Sequence, residues 1–169
     1  MALKGDRYEL ETDVSYFMNE VAERGGVATL STAGSGAALD QSAALVTYAA
    51  AQSGAIPVGI LLNDMVNIDQ TRQHINFHKN EMQQGGKVTL LRKGWVVTNF
   101  IDPGDTITAG QTAFVGPSGY ITNSQTTTGG LGSDNSAGAF VGRFDSLADE
   151  DGYAKVSVNL PHAEGAYLT

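Results

Sequence analysis

The chain contains no cysteine, which excludes disulfides, zinc–thiolate centres and cysteine nucleophiles. It is short of positive charge: ten Lys and Arg stand against eighteen Asp and Glu, a formal net charge of −8. Binding to nucleic acid draws on a basic patch that displaces counterions from phosphates, and ten cations spread along the chain do not make one. DNA and anionic membranes are therefore poor partners. No apolar run approaches the roughly 20 residues that cross a bilayer as a helix, and the opening MALKGDRYELETD lacks the apolar centre of a signal peptide. The expectation is a soluble protein made in the cytosol. Proline is scarce at 4 residues while glycine reaches 21, and only 17% of residues are charged. That balance favours many turns and an uncharged polar surface over long helices.

What is present is a hydrophobic content of 41% in 169 residues, enough for the core of one domain with an arm or a long insertion. Residues 85–122 read GGKVTLLRKGWVVTNFIDPGDTITAGQTAFVGPSGYIT. Short runs of branched, aromatic and threonine side chains suit a pleated surface. The breaks at Gly85-Gly86, Lys93-Gly94, Pro103-Gly104-Asp105, Ala109-Gly110 and 116–119 supply turn conformations. No window within this stretch offers a helix the length it needs. The expected fold is mainly β, a meander of short antiparallel strands closing towards a small barrel or sandwich.

Residues 1–26 form an N-terminal arm and residues 27–169 the main domain. In the arm, Val14, Phe17, Met18 and Val21 fall at i, i+3, i+4 and i+7, one face of a helix that Asp13 would cap and Gly25 would end. Val14, Tyr16 and Met18 also alternate, as in an extended segment. Both conformations remain open, as do two destinations: the arm's own domain or a neighbouring subunit. For the second, the contact residues are Tyr8, Tyr16, Phe17 and Met18. Strands are expected at 27–31, 43–51, 56–62 and 137–144, with an extended polar connection at 67–84. The Ser/Thr/Gly-rich stretch 123–136 reads as an exposed loop. Asp149-Glu150-Asp151-Gly152 reads as a hairpin turn leading into the alternating 153–160.

Candidates for chemistry each have a plainer structural reading. Gly34-Ser35-Gly36 lacks the third glycine of a dinucleotide loop and is followed by no βαβ unit. His74 and His78 have the i, i+4 spacing of metal ligands, with Asp69 or Glu81 as a third. A zincin, however, carries glutamate where Ile75 stands, and exposed loop histidines account for the pair. Asp145, Asp149, Glu150 and Asp151 offer calcium-type oxygens without EF-hand spacing. Asp102 and Asp105 flank a turn whose backbone donors they satisfy, and no G-x-S-x-G elbow occurs. PGDTITAGQ is similar to the hairpin of biotinyl and lipoyl carrier domains, but Lys87 and Lys93 stand in Gly-Lys-Val and Arg-Lys-Gly, away from that motif. No catalytic, metal-binding or cofactor-binding residue is assigned and no cofactor is expected. A β-rich carrier or carbohydrate-binding module is the alternative reading.

In order, the arm, IPVGILL, KVTLLRKGWVVTNFI, GDTITAGQTAFVGPSGYIT, the Ser/Thr/Gly loop, AGAFVGRF and KVSVNL resemble the head decoration (cement) proteins of tailed bacteriophages, of the β-tulip and β-barrel types. The likeness runs from Ile56 to Leu160, and the opening 26 residues also look like the start of such virion proteins. The resemblance implies a structural protein on the capsid exterior, assembled in the host cytoplasm. It further implies attachment to the major capsid protein, commonly as a homotrimer at three-fold or quasi-three-fold positions, stabilising the expanded shell, with no catalytic residues. Neither nucleic acid nor a membrane is implied as a partner.

Overall fold

The chain folds around one long strand. In the computed structural model, which describes residues 2–31, 44–64, 68–69, 74–75, 81–124 and 138–160, fourteen strands follow one another. The first six are β1 (Leu3–Asp13), β2 (Phe17–Met18), β3 (Ala22–Glu23), β4 (Val27–Leu30), β5 (Leu45–Thr47) and β6 (Pro57–Asp64). Three two-residue strands follow: β7 (Ile68–Asp69), β8 (His74–Ile75) and β9 (Glu81–Met82). The last five are β10 (Val88–Thr98), β11 (Thr112–Val115), β12 (Ile121–Thr122), β13 (Phe140–Phe144) and β14 (Ala154–Asn159). Among the described residues the only helical element is a single 3-10 turn, Pro117–Gly119. The expected mainly β class is what the chain adopts.

Strand β10 is the hub. Leu90 to Thr98 pair antiparallel with β1 along one edge. On the other edge β6 pairs with residues 88–91 and β14 with residues 93–98, one after the other. Two arrays leave this point: β6 continues to β4, β5 and β2, while β14 continues to β13, β11 and β12. Just beyond β10, Ile101 bridges to Ile121 of β12.

The expected turn at Lys93-Gly94 is corrected here, because β10 runs straight through it for 11 residues. Gly94 is there for another reason. Its φ of +139° and the 2.0 Å that would separate a Cβ from the Tyr8 carbonyl oxygen show a glycine that lets β1 come close. Other glycines do turn the chain: Gly85, Gly110 and Gly152 all have positive φ at bends.

Apolar side chains gather in two cores that share the β4–β6–β10 layer. Val27, Ile60, Leu62, Leu91 and Val96 face the first, with Val115, Ile121, Val141, Phe144 and Val156. Ala28, Val58, Leu61, Val88 and Leu90 face the second, with Met18, Val46 and Met82. A layer buried on both faces needs side chains of both parities to be apolar. This is why VGILL and VTLL read as runs, whereas KVSVN of β14, buried on one face, alternates.

Of the two conformations open to residues 14–21, the chain takes the extended one. The Phe17 and Met18 amides donate to Ala44 and Gly86 carbonyls, and Tyr16 and Met18 carbonyls accept from Val88 and Gly85. Backbone groups bonded to distant segments are unavailable to a helix. Of the four residues at helical spacing only Met18 is buried, while Val14 and Val21 are exposed. Further bonds tie the opening 26 residues to their own chain. The Ala2 amide donates to Glu23 Oε1 at 2.8 Å, the Asn99 amide to the Ala2 carbonyl at 2.9 Å, and Thr98 Oγ1 to the Gly25 carbonyl at 3.0 Å. The buried Tyr48 hydroxyl donates to the Glu23 carbonyl at 2.5 Å and accepts from the Gly26 amide at 3.1 Å. Burial pushes that phenol far above its ordinary range.

Candidate interaction surface

Residues directly opposite across a ladder project to the same face of the sheet. The register therefore lines up Tyr8 (β1), Trp95 (β10), Ser157 (β14), Arg143 (β13) and Thr112 (β11) in one row. The adjacent row, Val96, Val156 and Phe144, is buried in the first core. The Tyr8–Trp95 row consequently faces outward. Around it, Lys155 Nζ lies 3.9 Å from the centre of the Trp95 ring, and Lys4 Nζ 4.0 Å from that of Tyr153. Ion pairs fill the rest: Lys93 with Glu11 at 3.1 Å, Arg143 with Asp145 at 3.0 Å and Lys4 with Asp149 at 3.0 Å. Tyr8 is 54% exposed and Leu10, at the register shift between Glu9 and Glu11, is 67% exposed. Exposed aromatic and apolar side chains beside opposed charges make a surface suited to holding another protein.

The four contact residues expected from sequence occupy different environments. Tyr8 is on this outward row. Tyr16 packs partly buried against the second core, and Phe17 is half-buried with Lys87 Nζ at 5.7 Å from its ring centre. Met18 is fully enclosed in that core. The structure brings Tyr16, Phe17 and Met18 together at β2 and leaves Tyr8 on β1, beside Trp95. Sequence reasoning passed over Trp95 and Leu10. For Leu10 a signal was available, a leucine isolated between Glu9 and Glu11; Trp95, the chain's single tryptophan, sits in an apolar strand whose letters do not say which face it takes.

The candidates for chemistry separate as well. Among the described residues no group of three or more His, Cys, Asp or Glu is placed to hold a metal ion. Residues 34–36 and His78 lie outside the described residues, as does the stretch 125–136 of the expected loop. Asp102 accepts from the Gly104 amide at 2.9 Å, and Asp105 from Thr122 Oγ1 at 2.5 Å and the Asn123 amide at 3.0 Å. Asp145 engages Arg143 and Ser157.

Asp149 holds the hairpin that its sequence announced. Its Oδ1 accepts the amides of Tyr153 at 2.7 Å and Asp151 at 3.1 Å, and its Oδ2 accepts from Lys4. The Tyr153 amide first, then Lys4, hold this carboxyl below its ordinary range. A group depressed in the folded state stabilises the fold above its unfolded pKa, and this contribution disappears as pH falls through the folded value. We expect an acid-side shift of the Tyr153 amide resonance in an NMR titration, abolished in Asp149→Asn. An unchanged titration in the variant would rule out this carboxylate as the cause.

The chain is built of strands and turns aromatic and ion-paired side chains outward along the row from β1 to β11. Residues 5–159 match the phage family described as "Structural cement protein (E217 gp24/Pam3 gp6)", and the chain belongs to that family. It is a structural phage protein with a capsid-stabilising role. The match begins within β1 and ends on the last residue of β14. No curated protein matches the chain.

Proposed function

We propose that the chain binds the outer surface of the major capsid shell and locks the expanded head, without catalysing a reaction. The observation that carries this reading is the family match over residues 5–159. The outward row supports it, since Tyr8 and Trp95 are aromatic anchors of the kind that dominate protein interfaces, and Leu10 adds exposed apolar surface beside them. Tyr16 and Phe17 add a second contact region at β2, with Met18 supporting it from within. We assign the assembly as a homotrimer at three-fold or quasi-three-fold positions, where simultaneous engagement turns modest single contacts into strong attachment. A net charge of −8 suits an exterior position, away from packaged DNA.

Purified protein added to expanded, undecorated shells should bind saturably and raise the temperature at which the shells break. Shells that take up no protein under saturating conditions, or break at an unchanged temperature, would overturn the reading.

A further inference from the structure

Strand β1 is 11 residues long, and among the described residues its only strand partner is β10. Its other edge presents backbone donors and acceptors to whatever can pair with them. The side chains along it single out one such partner. When β1 is laid antiparallel on a second β1 about a two-fold axis, full overlap of Leu3–Asp13 puts Tyr8 opposite Tyr8. In this register Arg7 of each copy stands directly opposite Glu9 of the other, with Glu11 on one diagonal and the second Arg7 on the other, and no like charges are directly opposed. A slip of one residue either way sets Asp6 against Glu9 or against Glu11, and a slip of two sets Arg7 against Arg7 or Glu9 against Glu9. Like charges directly opposite are destabilising. The overlap that pairs the most backbone is thus also the one that the charges select. Arg7, Tyr8 and Glu9 form the regular stretch of β1, opposite Val96, Trp95 and Gly94, with register shifts on either side.

We infer that two copies of this chain join edge to edge through β1, in an antiparallel seam centred on Tyr8 and selected by Arg7 and Glu9. The seam goes beyond shell attachment and does not depend on it. On a shell it would link neighbouring decorating units across two-fold positions.

Within one chain Arg7 Nε and Glu9 Oε1 are 2.6 Å apart, so the test must separate this internal pair from the pair across the seam. Arg7→Glu gives a chain with Glu at both positions, and Glu9→Arg a chain with Arg at both. Each alone opposes like charges across the seam and should show a lower mass than wild type in light scattering over a concentration series. Mixed in equal amounts, the two variants pair opposite charges only between chains, and the wild-type mass should return. Equal masses for wild type and both variants, or a mixture that stays at the lower mass, would overturn the seam. A second measurement needs no variant: amide exchange at Tyr8 and neighbouring residues in the wild-type chain should slow as concentration rises through the association. Exchange independent of concentration would equally overturn it.

Discussion

Replacing Gly94 with alanine is expected to destabilise the fold more than any other single-methyl addition to β10. Two costs combine. A non-glycine residue held at such a φ is strained by about 1–3 kcal/mol, and the new Cβ would stand 2.0 Å from the Tyr8 carbonyl oxygen, a backbone atom that cannot rotate away. Either the ladder between β1 and β10 opens around Glu9, or β10 kinks where β14 also pairs with it. We expect a loss of at least 3 kcal/mol, a large part of the ~5–15 kcal/mol that keeps an ordinary domain folded. For a chain of this size that lowers Tm by roughly 10 °C. Gly110→Ala separates the two costs. Gly110 also has a positive φ, +91°, but an added Cβ there meets nothing within 4 Å, so only the backbone strain remains. Equal melting shifts for the two variants would show that the close approach of β1 contributes nothing.

Gly94 also marks where the sequence stops being readable. The letters around Gly85, Gly110 and Asp149–Gly152 announce turns, and turns are found there, because a local pattern sets a local conformation. Gly94 has the same letter but a long-range cause: a strand some 85 positions earlier in the chain lies against it. Local sequence cannot tell a glycine that bends from one that makes room. The segment around Phe17 and Met18 presents the same difficulty. Its apolar spacing suits a helix and a strand equally, and the choice is made by backbone groups of residues 44–46 and 85–88. Tyr8 was legible as a large side chain in a charged stretch. Trp95 was not, since whether it faces core or solvent depends on the register of β10 against β1 and β14. The strands were written in composition; their partners were not.

Met18→Ala and Tyr8→Ala should separate stability from attachment. Met18 has no exposed surface and fills the second core beside Val46, Leu61 and Met82. Truncating it leaves a cavity between β2 and the β4–β6–β10 layer, at a cost of about 2–5 kcal/mol. Its effect on shells should therefore follow from loss of folded protein, and protein that remains folded should still bind. Tyr8 is the opposite case. More than half of its surface is exposed, so its truncation should change the unfolding free energy by no more than about 0.5 kcal/mol. If the outward row meets the shell, removing this anchor costs about 2 kcal/mol of binding, a loss of roughly 30-fold in affinity. Unfolding curves and shell-binding isotherms for both variants decide the matter. A Tyr8→Ala chain that binds like wild type would move the shell contact off this row, towards Tyr16 and Phe17. A stable Met18→Ala chain that no longer binds would give β2 a direct part in attachment, because only a contact made by that strand could be lost while the core stays intact.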